Sequence, residues 1–248
     1  MHRSAGRSLV VIDGGEVDVW ALIAACARRR AAPIAAQDAC TACLQALALS
    51  GVGVSLVTDG RLEPVHVAGD LGRGLLEAEL TSGDGPCVEA MATGGPVLAA
   101  DLAAPECGLR WPAFTAVAQA ARVRAAFAFP LASGAVRVGV LVLGRDRPGG
   151  LEVAECTRAL IFADAILALL LNDRAGAGAQ ALPAGSLALG PQIHQAAGMV
   201  SVQMDCGIDE ALVRLRAHAF AHDVPLTQVA RQVVERHLRF TPDAPTPG

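Results

Sequence analysis

A chain of 248 residues with 53% hydrophobic and 18% charged residues can build a packed core, which excludes wholesale disorder. The formal net charge is −4, so no global positive field draws the chain to nucleic acid, and such a contact needs a local patch. The N-terminal residues lack a signal-peptide pattern, and the longest apolar run, residues 165–171, is far shorter than the roughly 20 residues of a membrane span. We therefore expect a soluble, cytoplasmic protein.

Cysteine usage gives no sign of a disulfide framework or a metal centre. The chain has seven cysteines, an odd number without framework spacing. Cys40 and Cys43 form a CxxC pair, but no second pair and no histidine pair completes a zinc site. We predict that both belong to the core, and we predict no metal and no cofactor.

In chain order, residues 1–12 are predicted to be a flexible tail, followed by helices and strands that alternate. The pair Asp59 and Gly60 is a hairpin turn signal between two of the strands. The predicted elements are helices over 17–30 and 35–49, strands over 51–58 and 62–68, helices over 71–80 and 86–92, a strand over 97–100, a helix over 111–121, strands over 124–131 and 136–143, and a helix over 151–172. This order predicts an α+β fold in which helices flank an antiparallel sheet.

The helix over 151–172 is apolar nearly all the way round. Such a helix needs two burial partners, and we take the second to be the same helix of another subunit. This predicts a homodimer. The following segment, 174–190, is rich in Gly and Ala and is predicted to be a linker, while 241–248 is predicted to be a disordered tail.

Residues 191–240 predict three short helices, each with one apolar face. Their predicted core positions are Ile193, Ala197, Val200 and Met204 in the first helix, Ile208, Ala211, Leu212, Leu215 and Ala219 in the second, and Leu226, Val229, Ala230, Val233, Val234 and Leu238 in the third. Phe220 is also predicted to be buried, and Gly207 is the predicted N-cap of the second helix.

Several motifs together resemble a known pair of domains. They are GDGPCVEA (83–90), GGPVLAADLA (94–103), RWPAF (110–114), FAFPL (127–131) and VRVGVLVLGR (136–145), with QAAGM, EALVRLRAHA and LTQVARQVV further on. Residues 35–172 resemble a GAF domain of the actinobacterial kind that precedes an ANTAR RNA-binding domain, and 191–240 resemble the ANTAR domain. We therefore expect a GAF-like sensor over 13–173 and an ANTAR-like three-helix domain over 191–240.

The resemblance implies a transcription antiterminator that binds paired short stem-loops of a leader RNA, with a signal received by the GAF domain. The positions expected to contact or closely approach RNA are Gln195, Gly198, Ser201, Arg214, Arg216, His218 and Arg231. Gly198 lies within a helix, where glycine costs about 1 kcal/mol relative to alanine. Its missing side chain allows close approach either by another helix of the bundle or by an RNA backbone.

The C-terminal segment departs from a typical RNA-binding surface in its charge. Residues 191–240 contain five arginines (214, 216, 231, 236 and 239) and five acids (205, 209, 210, 223 and 235), so the segment is neutral before its histidines are counted. The family commonly has a lysine where this chain has Ala197. Binding then requires that the arginines converge on loop phosphates and base edges.

The sensor half offers a candidate ligand pocket at Cys87, Arg110, Trp111 and Phe114, beside the sheet. Cys87 begins a predicted helix, whose dipole favours a thiolate, although a small buried residue explains the position equally simply and is the interpretation that we prefer. The ligand is an unidentified small molecule.

No catalytic motif is present, so we expect no enzyme. Two other functions stay open. In the first, the C-terminal helices of a ligand sensor bind a protein and no RNA, which the neutral charge favours. In the second, the chain binds DNA, although no predicted helix carries basic residues clustered at its N-terminus.

Overall fold

In the computed structural model of the protein, residues 18–177 and 189–241 are described. The elements in this part of the chain are α1 (Val19–Arg30), α2 (Ala36–Ala46), β1 (Gly51–Thr58), β2 (Arg61–Ala68), α3 (Gly72–Ser82), α4 (Pro86–Thr93), β3 (Val97–Ala99), α5 (Pro105–Arg110), α6 (Pro112–Ala120), β4 (Ala125–Ser133), β5 (Val136–Arg145), α7 (Val153–Ala177), α8 (Leu189–Met204), α9 (Ile208–Ala221) and α10 (Leu226–Val234). The α+β class is confirmed.

The five strands form one sheet in the order β2-β1-β5-β4-β3, and every neighbouring pair is antiparallel. The turn between β1 and β2 has positive φ at Asp59 (49°) and at Gly60 (76°). Two consecutive positive φ angles define the hairpin turn that Asp-Gly favours, so the predicted hairpin is confirmed.

Helices cover both faces of the sheet. On one face α1, α2 and α7 form the first core together with Val52, Val54 and Leu56 of β1. On the other face α3, α4 and α6 enclose a second core that includes Phe114 and Trp111. Because both faces are covered, the first six residues of β1 are all buried, and the strand does not show the polar-apolar alternation of a half-exposed sheet.

Two glycines allow α3 to lie directly on β1. A Cβ atom on Gly51 would lie 2.5 Å from the backbone nitrogen of Gly72, and one on Gly53 would lie 2.7 Å from the side chain of Leu76. Any larger side chain in these strand positions would push α3 away. This close approach holds the first half of α3 against the sheet. The C-terminal end of the same helix forms part of the candidate site below.

Most element boundaries differ from the predictions by one or two residues, and larger differences occur at α5, α2 and the predicted linker. Helix α5 was not predicted, and the helix predicted over 111–121 begins at Pro112. Helix α2 ends at Ala46 because Ala48 adopts a left-handed φ of 46°, which a continuing helix does not permit. Helices α7 and α8 extend into the predicted linker from both sides, while its middle, 178–188, lies outside the described residues, as do 1–12 and 242–248 of the predicted tails.

Helix α7 finds its burial partners within the same chain. It packs against α1, α2 and β4, and only a narrow stripe that includes Leu160 and Leu171, each 45% exposed, faces outward. The argument that α7 needs a second subunit for its burial is therefore wrong. The homodimer itself stays a prediction.

The three C-terminal helices enclose their own core, as the apolar periodicity predicted. It contains Ile193, Ala196, Ala197, Val200, Ala211, Leu212, Leu215, Ala219, Leu226, Val229, Ala230 and Val233. Two predictions are corrected here: Ile208 is 51% exposed and Phe220 is 56% exposed. Ile208 is the first residue of α9, beyond the end of the bundle core, and Phe220 lies one position past the stripe that Ala219 occupies. Gly207 is the N-cap of α9, as predicted. Because glycine has no side chain, this cap makes no side-chain hydrogen bond.

Candidate functional site

A cavity of about 290 Å³ lies between the sensor domain and the C-terminal bundle. The sensor side contributes the β1–β2 hairpin, α3 and α4. The bundle side contributes one or two residues from each of its three helices: Ile193 and His194 from α8, Leu212 and Arg216 from α9, and Leu226 from α10. The cavity is therefore a site that neither domain forms alone.

Polar contacts between the two domains surround this cavity. The backbone N–H of Leu226 donates to Oγ1 of Thr81 on α3 at 3.1 Å, and the Thr227 hydroxyl donates to a Glu77 carboxylate oxygen at 3.1 Å. On the opposite side Arg61 forms an ion pair with Asp209, and His194 contacts the Glu63 carboxylate. The bundle is thus held against both α3 and β2.

Glu79, on α3, is the most unusual group in the cavity wall. It is buried, and its Oε1 accepts a hydrogen bond from the backbone N–H of Cys87 at 2.9 Å. Its Oε2 has no hydrogen-bond partner in the part of the chain that the structure describes. Burial raises the pKa of Glu79 to about 8, so this side chain is mostly protonated at neutral pH and is able to donate one hydrogen bond.

We expect the protonation of Glu79 to be visible in the pH dependence of stability. The ordinary pKa of 4.5 applies to the unfolded chain, whereas the folded protein holds the proton up to about 8. The unfolded state therefore binds fewer protons across this window, and the free energy of unfolding falls as the pH rises from about 4.5 to about 8. A Glu79→Gln variant cannot titrate at this position, so it lacks this contribution to the pH dependence of the free energy of unfolding.

Urea unfolding of wild type and Glu79→Gln at a series of pH values checks this expectation. The stability of the variant relative to wild type should rise with pH across the window, while the exposed Glu106→Gln control should follow the wild-type curve. A constant difference between Glu79→Gln and wild type at all pH values would contradict the assignment of a buried, protonated carboxyl.

Arg216, on α9, is the arginine that the bundle contributes to the cavity wall. It is half-buried, and its Nε donates to the backbone carbonyl of Leu80 at 3.0 Å. A Cβ atom on Gly83 would lie 2.8 Å from its Nη1, so the guanidinium rests against the loop before α4. Burial, and then the nearby charge of Arg61, lowers the pKa of Arg216. No carboxylate of the described residues pairs with it.

The predicted ligand-pocket residues lie close together, with Cys87, Trp111 and Phe114 in the second core and Arg110 over the Trp111 ring at 4.5 Å. Of the four, only Cys87 lines the cavity; burial raises the pKa of its thiol well above the usual value, which favours the interpretation as a small buried residue. Arg110 instead forms an ion pair with Glu89, which also accepts a hydrogen bond from the indole N–H of Trp111 at 3.1 Å. Phe114 is a fully buried core residue. A ligand pocket beside Arg110, Trp111 and Phe114 stays a prediction, since these three residues do not line the cavity between the two domains.

The residues expected to contact RNA lie on different surfaces. Arg216 faces the sensor domain, Arg214 forms an i,i+4 ion pair with Glu210, and Arg231 is exposed on α10. The His218 ring stacks on His222 at a centroid distance of 4.0 Å. The Ser201 hydroxyl donates to the carbonyl of Cys206 at 2.5 Å. A single basic surface made of the predicted set is therefore absent from the described residues.

Two of the predicted RNA positions do meet on an exposed face of the bundle. Gln195 and Gly198 line a shallow depression on α8, which we call the α8 face. Its other residues are Met199, Val202, Gln203, Arg236 and Arg239. Sequence analysis counted both arginines but did not assign them to the RNA contact. They follow the end of α10, where helical periodicity no longer predicts which way a side chain points. The positive φ of Arg236, 62°, turns the chain back toward α8.

Comparison with known proteins identifies the class to which the sensor half belongs. The GAF domain family model matches residues 32–170, more than half of the chain. The chain therefore belongs to the GAF domain family. No curated protein matches it. Across residues 18–177 and 189–241, no helix is long and apolar enough to cross a bilayer, and no His, Cys, Asp and Glu side chains cluster as a metal site would require.

Solved structures with a similar fold have low identity to this chain. The GAF domain of an Acinetobacter phosphoenolpyruvate-protein phosphotransferase is 10% identical, with a TM-score of 0.46, and covers 64% of this chain and 96% of its own. The free methionine-R-sulfoxide reductase from Neisseria meningitidis is 18% identical, with a TM-score of 0.46, and covers 64% and 92%. The type II enzyme from Thermoplasma acidophilum is 16% identical, with a TM-score of 0.40, and covers 60% and 94%.

Proposed function

We propose that this protein is a non-enzymatic cytoplasmic regulator of transcription antitermination. In this proposal a small molecule binds the GAF domain, and the C-terminal helices are an ANTAR-type domain that binds paired stem-loops of a leader RNA. GAF domains are signal-sensing modules that can bind small ligands. The RNA-binding part rests on the resemblance of residues 191–240 to ANTAR domains and on the geometry of the α8 face.

Gly198 is the observation that carries the proposal. Two explanations of this mid-helix glycine were open, close packing of another helix or close approach of an RNA backbone. A Cβ atom at Gly198 would meet nothing within 4 Å, so close packing within the described bundle does not require this glycine. The surrounding amides of Gln195 and Gln203 and the cations of Arg236 and Arg239 are groups that bind phosphates and base edges.

The test compares the affinity of the full chain for a two-stem-loop RNA with its affinity for an unstructured RNA of the same length. We expect the protein to prefer the stem-loops. In Gly198→Leu the new side chain enters open space in the free protein, so folding should be retained while RNA affinity falls about tenfold or more. The control Ala217→Leu places the same leucine side chain at an exposed position on α9. Equal binding of both RNAs by wild type would contradict the proposal.

The arginines of the α8 face provide a second measurement. Each phosphate contact contributes about 0.7–0.9 to the slope of log affinity against log salt concentration. Arg239→Gln should therefore lower affinity for the stem-loop RNA and reduce this slope by about one contact. Arg28→Gln removes the same charge from the exposed end of α1 and should leave both quantities unchanged. A salt slope that is identical in all three proteins would exclude Arg239 from the RNA contact.

Exposed apolar side chains on the bundle favour a second candidate function, the binding of a protein. Val202 is 85% exposed and Val213 is 61% exposed, and the charge of the segment is balanced. Under this alternative, a complex recovered from the cell survives nuclease treatment and is lost in a Val213→Ser variant. Under our proposal, nuclease removes the bound material and Val213→Ser has no effect.

A further inference from the structure

Two ionisable groups of the interdomain cavity have polar atoms without a hydrogen-bond partner among the described residues. Nη1 and Nη2 of Arg216 make no hydrogen bond to any described residue, and its charge has no carboxylate beside it. Oε2 of Glu79 is buried and also has no partner. Both side chains lie against the same short loop, since a Cβ atom on Gly83 would meet Arg216 and one on Gly85 would lie 2.8 Å from Oε2 of Glu79. A buried polar atom without a partner, such as Oε2 of Glu79, is costly unless a ligand completes it.

The rest of the cavity wall is largely aliphatic. Its aliphatic side chains include Leu62, Leu76, Val88, Ile193, Leu212 and Leu226, and no Phe, Tyr or Trp is among the described residues that line it. The volume of about 290 Å³ is near the lower end of the range of roughly 300–1,000 Å³ typical of small-molecule sites. Such a wall suits a short hydrocarbon chain better than a planar or sugar-containing molecule.

The charged residues that line the cavity determine which charge the polar end of a ligand must carry. Arg61 is already paired with Asp209, and Glu63 is already in contact with His194. Arg216 is then the one basic side chain lining the cavity that has no carboxylate partner among the described residues. A guanidinium binds a carboxylate through two parallel hydrogen bonds, and a protonated carboxyl adds a third donor.

We propose that this cavity binds an aliphatic monocarboxylate, with the carboxylate on Arg216 and the hydrocarbon chain against the aliphatic walls. The ligand would contact both domains at once, because Arg216 belongs to the bundle and Glu79 to the sensor. Binding therefore stabilises the docked arrangement of the two domains by mass action. Where the proposed RNA-binding function holds, the ligand is a signal that restrains the C-terminal domain, a regulatory step that rests on that function.

The experiment is isothermal titration calorimetry of the full chain with four probes: octanoate, octanol, octylammonium and inorganic phosphate. We expect octanoate to bind, and octanol to bind at least tenfold more weakly because its neutral hydroxyl has one oxygen and cannot form the paired hydrogen bonds of a carboxylate with the guanidinium. We expect octylammonium and phosphate not to bind. Equal affinity for octanoate and octanol would overturn the role of Arg216, and the absence of octanoate binding would overturn the site.

Variants assign the binding to this cavity. Arg216→Gln should lose at least tenfold in octanoate affinity and leave octanol affinity unchanged, while Arg216→Lys should lose less because it keeps the charge. Arg214→Gln is the matched control, two residues away on the same helix and outside the cavity, and should bind octanoate like wild type. If Arg216→Gln does not fold, Glu79→Ala tests the same site by removing the hydrogen-bond donor of the Glu79 carboxyl. Octanoate affinity that is unchanged in both cavity variants would contradict the proposal.

The failure of this site and the failure of the proposed function give different results. Octanoate binding without any preference for stem-loop RNA keeps the site and removes the RNA function. Stem-loop binding without octanoate binding removes the site and leaves the RNA function. If both hold, saturating octanoate should weaken RNA binding in wild type and have no effect in Arg216→Gln.

Discussion

Replacing Phe114 with alanine is expected to lower the free energy of unfolding by about 3–5 kcal/mol, the range for a fully buried phenylalanine. Phe114 is 0% exposed and meets Trp111 edge to face, with ring centroids 6.3 Å apart. Its ring also fills the space beside Gly85, where a Cβ atom would lie 2.9 Å from Cδ2. Truncation leaves a cavity in the second core that the surrounding sheet and helices cannot close.

Chemical denaturation of Phe114→Ala and of a matched Phe220→Ala control measures this effect. Phe220 is 56% exposed, so its truncation should cost less than about 1 kcal/mol. A similarly small loss at Phe114 would show that this residue lines an open pocket, as sequence analysis predicted, and that the core described here is wrong.

The second large effect is expected at Arg145, the last residue of β5. Its guanidinium donates to Glu155 in the first turn of α7 at 2.6 Å and to the backbone carbonyl of Gly150 at 2.9 Å. The arginine side chain is 11% exposed and that of Glu155 25%, so the pair is largely removed from water. Arg145→Met should cost about 3 kcal/mol, because it leaves a half-buried carboxylate and a carbonyl without their donor.

The matched control for this variant is Arg147→Met, two residues along the chain. Arg147 is exposed and makes no hydrogen bond or ion pair within the described residues, so the same substitution should change stability by less than about 0.5 kcal/mol. Equal effects of the two substitutions would mean that the general loss of positive charge, and not the link between β5 and α7, determines the result.

The sheet and most helices could be predicted from local patterns. The Asp59–Gly60 turn adopts the conformation that its residues favour, and strand β1 follows directly from its β-branched and apolar residues. The bundle core followed from residues three and four apart, such as Leu212 and Leu215. These features depend on neighbours in the sequence, which is why sequence alone was sufficient.

The candidate site could not be predicted in the same way. Arg214 and Arg216 are two residues apart on one helix, yet one pairs with Glu210 on the outer surface and the other faces the sensor domain. The docking of the bundle on the sensor domain determines which of the two arginines is covered. This docking depends on contacts between residues far apart in the sequence, such as Leu226 with Thr81. The same holds for Glu79. In the sequence it is an ordinary acidic residue of an amphipathic helix, and only the structure shows that it is buried.

The central claim is that the C-terminal domain binds folded leader RNA, and one measurement tests it most directly. RNA cross-linked to the protein in its own cell is sequenced, with Gly198→Leu as the comparison. We expect reads to concentrate in leader regions that contain paired stem-loops, and to fall toward background in the variant. Reads spread evenly over all transcripts, or identical in both proteins, would contradict the claim and leave a GAF sensor that acts through another partner.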